Sequence, residues 1–284
     1  MSTLVEGQGA GRADTAEAER RNAAARAQAR RRRQGLQAAG IRLVSLAIVL
    51  GAWQLGGAEL DPAIFTTPSA VIAAAAEMTA SGELWTYLAP SLVILVEGLA
   101  LASLAGVALG LLLARFRALD VALGAYITFL YSIPAVALVP IIVLWAGFEA
   151  KAKIIVLFLF AFFPMVINTY QGVKNVDPKL IEVGQSFRCS ERQLWLNIIL
   201  PGALPFVITG LRLAVGRGLI GMVMADLYTA ISGIGYLIVR SASTYRIDKM
   251  FVPVVILGIL GVSLTSLIRL FEVYCVPWTR QHDD

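Results

Sequence analysis

The sequence predicts an all-α polytopic membrane protein with about six transmembrane helices, and three observations carry that reading. Of 284 residues, 58% are hydrophobic and 15% are charged, with a mean hydropathy of +0.74. Soluble domains have about 45–50% apolar and about 25% charged residues. Apolar runs at 41–58, 89–114, 121–146, 154–171, 203–229 and 250–274 match the roughly 20 residues that cross a hydrocarbon core. Charge is also placed unevenly, with an arginine-loaded segment before the first run and few ionisable residues inside the runs.

Residues 1–40 form a polar, Arg-rich arm that ends in Arg30–Arg33 and reads as a disordered or frayed helical tail. Glu6, Asp14, Glu17 and Glu19 argue against a transit peptide. Lys and Arg total 24 against 19 Asp and Glu, for a formal charge of +5. That excess does not point to nucleic acid, because the arginines cluster at the arm and act as a positive-inside signal. Six spans then put both termini in the cytoplasm. The loop 59–88, with four acids and no Lys or Arg, lies outside; 115–120 and 172–202, with Arg115, Arg117, Lys174, Lys179, Arg188 and Arg192, lie inside. Lys151, Lys153, Arg240, Arg246 and Lys249 fall outside, against the bias. A short tail, 276–284, ends the chain inside.

Within the outer loop, Thr67-Pro68-Ser69 predicts a helix start, Thr as N-cap and Pro at the first helical position, with a short helix reaching Met78 on the membrane surface. The second span carries Gly98, Ala102, Gly106, Gly110 and Ala114 at every fourth position, a stripe that lets another backbone approach closely. Pro134 and Pro140 predict a broken or kinked third span. Freed backbone groups survive at such depth only beside protein or a water-filled cavity.

The chemistry-bearing residues are few. Cys189 and Cys275 are too few for a disulfide framework or a metal cluster, and the only histidine is His282. None of the five lysines is followed by Ser or Thr, so the chain has no P-loop of its own. No cofactor or metal is expected on it. Ionisable residues inside spans are costly and face a bundle interior or water. Glu97 and Arg217 lie at similar depth and are read as a buried brace; the alternative makes Arg217 part of an anion path. Arg212 is expected to snorkel towards the cytoplasm, and Asp226 to be solvated near the outer end. Met222 and Met224 read as packing or as gate-lining side chains.

Membrane packing does not require what residues 172–202 contain. Asp177-Pro178 predicts a helix N-terminus, and Leu180, Ile181, Gly184 and Phe187 share one face of that helix. Ser190-Glu191-Arg192-Gln193 is a capping box that opens a second helix with Leu194, Trp195, Ile198 and Ile199. Leu200-Pro201 is expected to stop it. Two short amphipathic helices joined by a tight turn want an apolar partner; the alternative partner is the lipid headgroup layer.

Glu182-Val183-Gly184, three residues, Arg188, nine residues and Ile198-Ile199-Leu200-Pro201 resemble the EAA loop of bacterial ABC importer permeases, Glu-Ala-Ala-x3-Gly-x9-Ile-x-Leu-Pro. Phe163-Pro164, Asn168–Val173, Ile133-Pro134-Ala135, Leu138-Val139-Pro140, Pro205–Arg212 and Ser232–Tyr236 extend the likeness over roughly 60–275, towards the nitrate/sulfonate/taurine/bicarbonate branch. Two alanines of the pattern are Val183 and Gly184 here, and its turn glycine, which would permit positive φ, is Arg188.

The resemblance implies a type I ABC importer permease of MetI-like fold in a bacterial inner membrane. Its implied partners are separate ATPase subunits that carry ATP and magnesium, a periplasmic or lipid-anchored solute-binding protein, a second permease chain and the lipids. Asp177, Glu182, Gly184, Ser186, Arg188, Ser190, Trp195 and Pro201 would belong to the ATPase-coupling loop. Glu97, Pro134, Pro140, Arg212, Arg217, Met222 and Asp226 would be candidates for the translocation path or gate. A secondary transporter is the rival reading, although paired broken helices, usual in that class, are not found. An intramembrane enzyme would need a convergent catalytic set, which one terminal histidine does not provide.

Overall fold

The computed structural model describes residues 33–61 and 63–276. The arm up to residue 32 and the tail from 277, with His282, lie outside the described residues. The chain divides into two compact units, 1–60 and 61–284. In the first, α1 (Arg33–Ala58) extends the predicted 41–58 run and is long and apolar enough to cross a bilayer.

The second unit opens with α2 (Pro68–Ala80), whose N-cap Thr67 accepts a hydrogen bond from the Ala70 amide through Oγ1. Met78 on α2 is fully buried. Then follow α3 (Glu83–Arg115), α4 (Arg117–Ser132), α5 (Ala135–Ala146) and α6 (Ala150–Lys174). The 172–202 segment holds α7 (Pro178–Ser186), α8 (Glu191–Leu194) and a π-helical turn at Trp195–Ile199. After it come α9 (Leu200–Thr229), α10 (Ile234–Ser243) and α11 (Ile247–Cys275). Among the described residues, five helices can cross a membrane by length and composition, or six if the bent pair α4–α5 is one span.

The predicted span 121–146 is two helices bent by 95° at Ile133-Pro134. Pro134, with no amide to donate, is the N-cap of α5. Pro140 sits inside α5 and does not break it, which corrects the expectation that both prolines interrupt the helix.

The small-residue stripe fixes the centre of the bundle. A Cβ on Gly98 would lie 2.7 Å from Leu157 Cδ2, on Gly106 2.4 Å from Met165 Cβ, and on Gly110 2.7 Å from Thr169 Cβ. Each partner lies 59 positions further along, so α3 and α6 run parallel in constant register. Across the other face of α6, Gly172 meets Phe206, Gly210 meets Asn168 and Gly221 meets Phe160, the descending order of an antiparallel pair with α9. Lipid tails are as apolar as leucine, so close packing rather than apolarity drives such helices together. The resulting core joins Leu95 and Ala102 of α3, Leu157 and Met165 of α6, Ala214 and Met222 of α9 and Ile234 of α10.

Candidate functional site: a helical hairpin, a hinge cavity and a buried ion pair

The hairpin forms as its caps dictate. Asp177 accepts from the Lys179 amide at 2.9 Å and starts α7. Ser190 Oγ accepts from the Gln193 amide while Gln193 Oε1 accepts from the Ser190 amide at 2.8 Å, a complete capping box. At the turn, the Arg188 amide donates to Gln185 O at 2.8 Å and the Cys189 amide to Gly184 O at 3.0 Å, the two bonds of a Schellman motif. Its left-handed position is Arg188 itself, with φ 55°. The turn therefore keeps the geometry that a glycine would supply, held here by a residue that pays about 1–2 kcal/mol for it.

Gly184 is buried because α7 lies directly on the second helix: a Cβ there would meet Leu194 Cδ2 at 2.6 Å and Ile198 Cδ1 at 2.8 Å. The apolar residues of α7 consequently divide between two faces, a correction to the single face predicted. Gly184 and the half-buried Ile181 turn towards the hairpin, while Leu180, Val183 and Phe187 stay exposed, Phe187 at 79%. Glu182 and Ser186 are exposed beside them, the Ser186 hydroxyl donating to Glu182 O at 2.9 Å.

Leu200-Pro201 does not end the second helix. The Leu200 amide bonds Trp195 O, five residues back, and helix runs without a break from Glu191 to Thr229. Proline clashes with the carbonyl four residues earlier, and a π turn widens the backbone where that clash would fall. The hairpin is also pinned to α3: Arg115 pairs with Glu191, and its guanidinium lies 5.7 Å from the Trp195 ring centroid.

Deep in the bundle the expected Glu97–Arg217 brace does not form. Leu99 of α3 faces α9, its Cδ1 lying 3.9 Å from a Cβ built on Gly218. Glu97, two residues earlier and about 200° round the helix, points away from α9. It is exposed, with no ion pair or hydrogen bond among the described residues. Arg217 instead lies 5.1 Å from the Tyr131 ring centroid and has no carboxylate partner among the described residues. It borders a cavity of about 270 Å³ at the α4–α5 bend, walled by Tyr131, Val136, Phe160, Phe163 and Ile220. Pro140 deprives the Val136 carbonyl of its helical donor, so a backbone acceptor is freed on a residue of this wall.

Asp226 is not solvated: it is 1% exposed and paired with Lys153 Nζ at 2.7 Å. Its other oxygen accepts from Ser91 Oγ at 2.6 Å and from the Gly235 amide at 3.3 Å. Lys153 also donates to Ser232 O at 2.6 Å and Ser232 Oγ at 3.1 Å, and Ser91 Oγ accepts from the Ile234 amide at 2.8 Å. Four elements, α3, α6, α9 and the start of α10, thus share one buried polar node. Gly233, at φ 101°, has the Asp226 carboxylate 2.2 Å from where a Cβ would sit, so a side chain there is excluded.

Met222 is fully buried in the core, which leaves it no surface on a path. Arg212 does not snorkel but pairs with Glu272 of α11 at 2.5 Å. Four of the five cations that ran against the charge bias are paired: Lys249 with Glu77 and Glu83, Arg240 with Glu83, Arg246 with Asp248 and Glu77, and Lys153 with Asp226; Lys151 has no ion pair among the described residues. Sequence reasoning missed Lys153, Ser91, Arg115 and Tyr131. Lys153 carried a usable signal, being a charge immediately before an apolar run that could reach an acid in another span.

The bent helical pair, the parallel and antiparallel packing around α6 and the hairpin define a multi-span helical membrane bundle, and comparison with solved structures gives the same architecture. An amino acid ABC transporter crystallised with histidines superposes with a TM-score of 0.55, covering 69% of this chain and 96% of that one at 16% identity. The fold is that of an ABC importer permease of the MetI-like type. Residues 106–281 match the binding-protein-dependent transport system inner membrane component family, and the chain belongs to that family. It is 33% identical to the aliphatic sulfonates transport permease protein SsuC of Escherichia coli (strain K12), over 81% of this chain and 88% of that protein. SsuC of Bacillus subtilis (strain 168) is 31% identical over 84% and 87%. The formylaminopyrimidine transport permease protein ThiX of Halalkalibacterium halodurans is 30% identical over 81% and 92%. The protein is a multi-pass membrane transport subunit.

Proposed function

We propose that this chain forms the translocation path of an ATP-driven importer for a small anion, a sulfonate, nitrate, bicarbonate or organic carboxylate. A solute-binding protein, periplasmic or lipid-anchored, delivers the substrate. ATP and magnesium act on separate ATPase subunits, and a second copy of this chain completes the path. The membrane is the bacterial inner membrane, with the hairpin and both termini on the cytoplasmic side.

The observation that carries the proposal is the exposed face of Leu180, Val183 and Phe187 beside Glu182, on a hairpin rigidly attached to the bundle. Glu191–Thr229 is one 39-residue helix, about 58 Å at 1.5 Å per residue. It starts in the hairpin, passes Arg217 and ends beside Asp226. A displacement imposed at α7–α8 by nucleotide binding to the ATPase is therefore delivered to the hinge cavity along one element. Coupling of this kind is a shift between two conformational populations, biased by the partner that binds one of them better.

The test is Glu182→Arg and Phe187→Asp in the assembled transporter, reading ATPase co-purification and substrate-stimulated hydrolysis with permease abundance as control. A reversed or newly introduced charge at the centre of an interface costs on the order of 2 kcal/mol or more, so the complex should loosen while the permease stays folded. Normal assembly and normal stimulation in both variants would remove the hairpin from the coupling role.

A further inference from the structure

We infer that the cavity at the α4–α5 bend is a substrate-contacting subsite selective for organic monoanions with an apolar body, such as an alkyl sulfonate or carboxylate. The inference deepens the proposed transport function and rests on it.

The cavity has one cationic group, two neutral polar groups in the Tyr131 hydroxyl and the Val136 carbonyl freed by Pro140, and otherwise apolar or aromatic walls. Arg217 presents a guanidinium with five N–H donors, and no described carboxylate takes any of them. Its position on α9 is 12 residues before Thr229, about 18 Å along the helix, too deep for a lipid phosphate to serve as the counter-ion. Tyr131 lies against the guanidinium at 5.1 Å, an arrangement that steadies the cation without neutralising it. An intramembrane cation left with only a ring partner is what an anion passing through would complete.

The rest of the wall sets the shape of that anion. Val136, Phe160, Phe163 and Ile220 offer no side-chain hydrogen-bonding group. A hydrated inorganic anion would gain Arg217 and the Tyr131 hydroxyl but could make no use of the apolar remainder of the wall. A zwitterion would bring its ammonium into a cavity that already holds a guanidinium and whose lining has no carboxylate. An organic monoanion places its charged end on Arg217 and its hydrocarbon on the aromatic side. At about 270 Å³ the cavity lies just below the roughly 300–1,000 Å³ of pockets for drug-sized ligands, room for a small organic anion such as a short alkyl or aryl sulfonate. Binding should be weak, since a path must release what it binds.

The experiment uses the permease in lipid nanodiscs, with saturation-transfer NMR on 1-pentanesulfonate and empty nanodiscs as background. The expected result is a saturable signal above background that equal concentrations of nitrate or taurine do not displace. Arg217→Gln should weaken it at least about tenfold, the equivalent of about 1.4 kcal/mol. Arg217→Lys should retain part of it, and Arg240→Gln, which removes a distant surface charge, should leave it unchanged. Ile220→Trp, which keeps the charge and fills the cavity, should abolish it and decides the matter if Arg217→Gln does not fold. No saturable signal in the natural protein, an unchanged signal in Arg217→Gln or Ile220→Trp, or equal displacement by nitrate or taurine would overturn the inference. The measurement involves no ATPase, so its failure leaves ATP coupling untouched, and loss of ATP coupling leaves this binding result readable.

Discussion

Replacing Lys153 or Asp226 singly should destabilise the permease far more than replacing both. The two groups are 5% and 1% exposed and 2.7 Å apart, so solvent screens little of their interaction. In Lys153→Met the carboxylate keeps only the Ser91 hydroxyl and the Gly235 amide; in Asp226→Asn the ammonium keeps Ser232 and an amide oxygen. Stranding one member of a buried pair costs about 3–5 kcal/mol, whereas removing both is often neutral. Lys153→Met should sit at the upper end, since its remaining partners are neutral donors, and Asp226→Asn at the lower. In the double variant Met fills the lysine volume, and the Asn oxygen still accepts from Ser91 and Gly235. At about 2–4 °C per kcal/mol for domains of 150–250 residues, the single variants should lower Tm by about 6–20 °C. The double should recover at least half of the larger loss. Scanning fluorimetry of the purified permease reads this directly. A double variant as unstable as Lys153→Met would refute the pairing, placing the stability of the node in its shape or its neutral hydrogen bonds.

Three further outcomes are expected. Arg188→Gly should stabilise the hairpin by about 1 kcal/mol by removing the left-handed penalty. Proteolytic resistance of 172–202 measures this, and increased cleavage would show that Arg188 makes a contact worth more than its strain. Gly106→Leu should abolish the folded permease, because even a Cβ would lie 2.4 Å from Met165 Cβ and 3.2 Å from Phe162 O; a monodisperse size-exclusion peak at normal yield would contradict the close packing of α3 on α6. Arg115→Gln should change thermal stability by no more than about 1 kcal/mol, since the pair with Glu191 is exposed. It should reduce substrate-stimulated ATPase activity if α3 and the hairpin move together, and unchanged stimulation would show that α9 alone carries the motion.

What could be read from the sequence was whatever depends on spacing along one element. The stripe from Gly98 to Gly110, the Thr67 cap, the Asp177 cap and the Ser190 capping box all have local signatures, and each is found where its spacing puts it. What could not be read depends on azimuth and on neighbours. Depth along a helix suggested that Glu97 and Arg217 meet, but depth does not say which way a side chain points. The contact of Leu99 with α9 turns Glu97 away. Asp226 looked solvated because it lies near a helix end; its partners come from Ser91, Lys153 and Gly235, far apart in sequence or across a turn. Pro201 obeyed the usual stop rule in the sequence but not in the fold, since a π turn accommodates it. Arg188 shows the converse: the chain context demands a left-handed turn strongly enough that a non-glycine residue adopts it.

The most direct test of the transport mechanism is uptake into proteoliposomes containing the permease with and without its co-purified ATPase and solute-binding protein, with 1-pentanesulfonate as the substrate probe. The expected result is uptake that requires all three components and hydrolysable ATP with magnesium, and that Phe187→Asp eliminates without changing the amount of permease inserted. Uptake by the permease alone, driven by an ion gradient and indifferent to ATP and to Phe187→Asp, would contradict the coupling of this bundle to a separate ATPase.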